Sequence, residues 1–143
     1  MRIVDFTLKV LGITEAMHRW HITVADVDDR RRDKIARYAE EIAATLARVA
    51  EAIERLDRDP ADKAAARIAV REFGRLSGYI ETIVTALEGR VDGRRLAGVK
   101  RRLEGLADDG PITATVRRPD TSHIERLAAA EGYFRALADS LRI

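Results

Sequence analysis

Two long apolar stripes, mirrored about one short acidic loop, constrain this chain more than any other feature. Before the loop, Ile35, Ile42, Leu46, Val49, Ile53 and Leu56 recur mainly at steps of four and three. After it, Ala69, Phe73, Leu76, Ile80, Ile83 and Leu87 repeat the rhythm. That period belongs to helices that bury one side along most of their length. Between the stripes sits Asp57-Arg58-Asp59-Pro60-Ala61-Asp62. The pattern predicts an antiparallel helical hairpin and, with it, an all-α fold.

The rest of the chain extends this to an antiparallel four-helix bundle with an additional N-terminal helix, about five helices in one domain over residues 1–143. The expected spans are 3–20, 23–57, 60–88, 92–108 and 122–142, with a long loop at 109–121. Scarce aromatics, at 5% of residues, and abundant charged residues, Ala and Leu favour helix over sheet. Alternation at Val4, Phe6, Leu8 and Val10 also permits a short strand, but the rhythm of Ile3, Phe6, Val10, Ile13, Met17 and Trp20 favours helix.

Punctuation fits these spans. Asp59 before Pro60 reads as a helix cap followed by a first-turn proline. Thr23 or Asp26 reads as the cap of the second helix, Asp92 as the start of the fourth, and Ser122 with Glu125 as a capping box. Gly89 can end the third helix in a left-handed conformation. Gly74 and Gly78, inside that helix, suggest a close helix–helix approach, because glycine there costs about 1 kcal/mol relative to alanine.

The chemistry-bearing residues are sparse. With no cysteine, disulfides, thiol catalysis and cysteine-ligated zinc are excluded. Glu15-Ala16-Met17-His18 has the Glu-x-x-His spacing of carboxylate-bridged di-iron bundles, but those use two such motifs and further glutamates. His18 and His21 share a face, yet one helix supplies too few ligands for a firm site. Asp120 to His123 copies the spacing across a helix start. Ser77, Ser122 and Ser140 have no visible base, and no nucleophile elbow or phosphate-cradling loop is present. Glu40-Glu41 and Asp108-Asp109 read as solvated faces. No enzyme, cofactor or metal site is expected.

What remains is binding. The first reading is a non-enzymatic interaction module that self-associates or serves a protein partner as an accessory or adaptor. The wide apolar arc of the first helix reads as a central helix surrounded by the others, but the apolar supply also exceeds what a four-helix core needs, and a surplus apolar face usually meets a partner. Ile3, Val4, Leu8, Leu11, Met17 and Trp20 are its candidate interface.

A second reading is a basic accessory bundle that binds RNA or DNA. Residues 90–118 hold eight Lys/Arg against four Asp/Glu, whereas residues 26–59 hold eight against ten. Arg94, Arg95, Lys100, Arg101, Arg102, Arg117 and Arg118 are the polyanion candidates, with Arg90 beside them. Arg94 and Arg101 share a helical face, but Arg95 and Arg102 lie about 100° around it, and no aromatic is interleaved.

A third reading starts from outline alone. A broadly apolar N-terminal helix ahead of a long hairpin resembles the membrane-targeting bundles of cell-death and immune-effector proteins. That resemblance implies a membrane contact through the first helix, although Lys and Arg do not dominate its polar edge. Asp5 and Lys9 interrupt any signal-like stretch, and no run of eighteen uncharged residues exists. The expected location is the cytoplasm.

Overall fold

The computed structural model describes residues 3–18, 27–89, 93–108 and 121–142, with side chains for all of these but 3, 4, 6, 95, 103–108, 121 and 122. Among the described residues there are five helices and no strand: α1 (Ile3–His18), α2 (Asp29–Arg58), α3 (Lys63–Ala86), α4 (Gly93–Asp108) and α5 (Thr121–Leu141). The strand permitted at residues 4–10 is helix. No described helix is long and apolar enough to cross a membrane.

Helix α2 is the spine. Its 30 residues span about 45 Å. It runs closely along α3 on one side and α5 on the other. Buried Ala36, Ala39, Ala43 and Ala52 permit that approach, since a methyl side chain holds a neighbouring backbone least far away. Three cross-links set the α2/α3 register as antiparallel: Arg55 meets Asp62, Arg48 meets Glu72, and Arg31 donates to the Ala86 carbonyl. Helix α5 also runs antiparallel to α2. Glu40 feels both Arg135 and Arg142, whereas the charge of Asp33, further down α2, reaches Arg142.

Helix α1 packs against α4, α5 and α3, and α4 also meets α3. The five helices therefore close a ring, α2–α3–α4–α1–α5, in which α1 fills the place between α4 and α5. Helices α1 and α5 run the same way: Glu15 meets Arg126, and Met17 and His18 meet Tyr133 one to two turns on. The core lies inside this ring. The two stripes meet there, with Ile42, Leu46, Val49, Ile53, Phe73, Leu76, Ile80 and Ile83 buried, and α5 adds Leu127, Phe134 and Leu137.

Several local expectations need correction. Helix α2 starts at Asp29, capped by Asp28, whose carboxylate accepts from the Arg31 amide at 3.0 Å; Thr23 and Asp26 lie outside the described residues. Helix α3 starts at Lys63, capped by Asp62, which accepts from the Ala65 amide at 3.0 Å. Asp59 instead closes the preceding turn by accepting from the Ala61 amide, so Pro60 sits in that turn rather than in the helix. Two candidate caps compete here. Asp62 prevails because it also reaches Arg55, and the Ala65 amide followed by Arg55 holds its carboxyl below the ordinary range. Helix α5 begins at Thr121, which places Ser122 inside the first turn. Gly74 and Gly78 are exposed, and an added Cβ would meet nothing within 4 Å. They are not points of close approach, because they lie on the side of α3 opposite Phe73 and Ile80. Gly89 does adopt the left-handed conformation, at φ 80°. Asp92 and most of the 109–121 loop lie outside the described residues.

Candidate functional site

Two of the residues expected to form a partner face on α1 are enclosed in the bundle. Leu11 and Met17 have no exposed surface and point into the ring, together with Val10 and Ile13. Leu8, at 40%, is the exposed large hydrophobe among the described residues. The side chains of Ile3, Val4 and Trp20 lie outside the description. The burial of Leu11 and Met17 has a simple cause. A helix wedged among three others needs a wide apolar arc, so the surplus counted against a four-helix core is consumed by the fifth member. Thr7 and Thr14 are buried in the same arc, Thr14 donating to its own Leu11 carbonyl at 3.0 Å.

Lys100 pairs with Glu88, and Arg102 donates to the Gly12 carbonyl at 3.1 Å, so both brace α4 against its neighbours. Arg94 and Arg101 are exposed. The side chain of Arg95, and Arg117 and Arg118 entirely, lie outside the described residues. Of the histidines, His18 stacks on Tyr133 at 4.3 Å and His123 is buried near the start of α5. Among the described residues no three His, Asp or Glu side chains converge on a metal position.

A cationic surface exists elsewhere, on the outer face of α2 and α3. Helix α3 carries Lys63, Arg67, Arg71 and Arg75 at four-residue steps, which places them along one exposed flank about 6 Å apart in rise. Helix α2 carries the exposed Arg30, Lys34 and Arg37 on its outer face, between the side that meets α3 and the side that meets α5. The two rows join through contacts across the helix pair. The Arg37 guanidinium lies 5.5 Å over the Tyr38 ring. The Tyr38 and Tyr79 rings are 5.7 Å apart, tilted by 50°. Arg75 donates to the Tyr79 hydroxyl at 3.3 Å. The result is a diagonal track: Arg30, Lys34 and Arg37 up α2, two tyrosines at the crossing, then Arg75, Arg71, Arg67 and Lys63 up α3.

Charge segregation makes the track cationic although the α2 sequence is balanced. Asp33 and Glu40 face α5, where Arg142 reaches Glu40 at 2.7 Å. That hydrogen bond, and then the charge of Arg142, hold the Glu40 carboxyl below the ordinary range. Glu72, the acid beside Arg71, is only 5% exposed and lies between Arg48 at 3.0 Å and Arg75 at 3.5 Å. Two guanidiniums thus cover one carboxylate. Glu41 and Glu81 also lie near the track, as do Asp33, one turn before Arg37, and Glu51 and Glu54 beside its upper end. Elsewhere many cations are paired, Arg32 with Asp29, Arg55 with Asp62, Arg126 with Glu15 and Arg135 with Glu131, whereas Arg58 and Arg101 are exposed without an ion pair among the described residues. Arg30, Lys34, Arg37, Lys63, Arg67 and Arg71 have no acid within salt-bridge distance among the described residues. Beside the upper track a cleft of about 380 Å³ opens over Ala52 and Ile68, rimmed by Arg48, Arg55 and Arg58 with Glu51 and Glu54.

No protein-family model, curated protein or solved structure matches the chain.

The Lys63 to Arg75 row was open to reading in the sequence as a four-residue period of cations. Counting charge along windows conceals it, because a window averages over all faces of a helix. The tyrosine crossing has no sequence signal of its own; it depends on the α2/α3 register.

Proposed function

We propose that this chain is a non-enzymatic binding module that holds a nucleic acid by its phosphates along the α2/α3 track. The observation that carries this reading is the run of exposed cations at Lys63, Arg67 and Arg71, without an acid partner among the described residues, continued through Arg75 and two tyrosines to Arg37. Guanidiniums spaced along a helix suit a linear polyanion, because each neutralised phosphate releases condensed counterions. This places the basic surface on α2 and α3 rather than on α4. Self-association through α1 has less support, since Leu11 and Met17 are enclosed.

Fluorescence anisotropy with a labelled mixed-sequence RNA at low salt tests the proposal. Affinity should fall linearly on a logarithmic salt scale. Reversing Arg67 and Arg71 to Glu should abolish binding, while Arg101→Glu on α4 leaves it close to that of the wild type. Neutralising the same two arginines should reduce the salt slope by about 1.4, at ~0.7 per phosphate contact on a single strand. Absence of binding at low salt, or binding indifferent to Arg67 and Arg71, overturns the reading.

A further inference from the structure

We infer that the bound nucleic acid is single-stranded and that its bases stack on Tyr38 and Tyr79. This rests on the reading of the track as a phosphate-binding surface and specifies its ligand.

The centre of the track is aromatic rather than cationic. Arg37 lies 5.5 Å over Tyr38 on the α2 side, and Arg75 touches the Tyr79 hydroxyl at 3.3 Å on the α3 side. Cations thus flank a pair of partly exposed rings 5.7 Å apart. A single strand matches that order. Its phosphates lie along the flanking guanidiniums, and its unpaired bases turn toward the rings, where stacking tolerates any sequence. A duplex matches it poorly. Its bases are already stacked and paired, so the tyrosines would face a sugar–phosphate wall and contribute little. Nor does a described element project from the bundle to enter a groove, since α2 and α3 lie side by side along their length.

Arg37 lies over a tyrosine face that a base would use. Its guanidinium has no acidic partner among the described residues, so it is free to swing from the ring to a phosphate. Arg75 is more constrained, because it also contacts Glu72 at 3.5 Å. It positions the Tyr79 hydroxyl, and with it the edge of the ring.

The test compares a labelled single-stranded DNA, the same sequence as a duplex, and inorganic polyphosphate as a competitor without bases. Tyr38→Leu and Tyr79→Leu keep apolar packing against the core but remove the stacking surface; circular dichroism checks their folding. Tyr38→Phe and Tyr79→Phe keep the ring and guard against a Leu variant that fails to fold. The single strand should bind more tightly than the duplex. Each Leu change should weaken the single strand roughly tenfold, with polyphosphate affinity unchanged, and each Phe change should stay near wild type. If the duplex binds as tightly, or folded Leu variants match wild type while the Arg67/Arg71 reversal still abolishes binding, the stacking inference falls and the phosphate track stands. A tenfold loss on Phe replacement also overturns stacking. If neither nucleic acid binds, or vesicles of phosphatidylserine bind where nucleic acid does not, the inference and the function beneath it fail together.

Discussion

Tyr133 joins α5 to α1 by two contacts and packs on Phe134 of its own helix. Its hydroxyl donates to the Met17 carbonyl at 3.2 Å, its ring stacks on His18 at 4.3 Å, and it meets Phe134 edge-on at 5.0 Å. Burial pushes the phenol from its ordinary 10.0 up to about 12. The fold therefore holds the neutral form, while an unfolded chain ionises near pH 10. The stabilisation from this group is fully present below about pH 10 and is lost as pH rises toward 12. Tyr133→Phe cannot ionise. Its unfolding free energy should decline less steeply than that of wild type across that window in urea titrations. Parallel decline would mean that the Tyr133 hydroxyl is hydrated.

Helix α1 behaves at the element scale as a member of the ring rather than an appendage. Its buried side is made by Val10, Leu11, Ile13 and Met17, with Thr7 and Thr14 between them, while Asp5, Leu8, Lys9 and Glu15 face outward. Leu11→Ala should cost about 2–5 kcal/mol, as for a fully enclosed leucine whose cavity does not collapse. Leu8→Ala should change stability by less than about 0.5 kcal/mol, as for a surface position. Chemical denaturation of both variants measures the difference. Equal small effects would place α1 outside the core.

At the scale of the whole molecule, stability and binding draw on the same charges. Glu72 links α3 to α2 through Arg48, also contacts Arg75 on its own helix, and is a buried acid beneath the cationic face. Glu72→Gln weakens charge-assisted hydrogen bonds to a buried acceptor. It should cost about 1–3 kcal/mol of stability. The same change removes a negative charge from the track, so RNA affinity should rise. Thermal melting and anisotropy on one preparation read both effects. Lower stability with unchanged or weaker binding would separate Glu72 from the polyanion face.

The sequence by itself determined the helices and their inward sides. Apolar spacing near 3.6 residues is a local property, and it marked the α2 and α3 seams residue by residue, from Ile42 to Ile53 and from Phe73 to Ile83. Gly89 was legible for a similar reason, since a left-handed turn favours glycine whatever surrounds it. Tertiary structure decided what periodicity cannot encode. Whether Leu11 faces solvent or core depends on how many helices surround α1. Whether Asp59 or Asp62 caps α3 depends on Arg55, seven residues before Asp62. The glycines at 74 and 78 lack side chains on a solvent face, not at a contact. The α2/α3 track exists because packing turns Asp33 and Glu40 toward α5 and buries Glu72 between two arginines. Charge counted along the chain sums over directions, whereas a binding surface is made from one direction only, and only the fold chooses it.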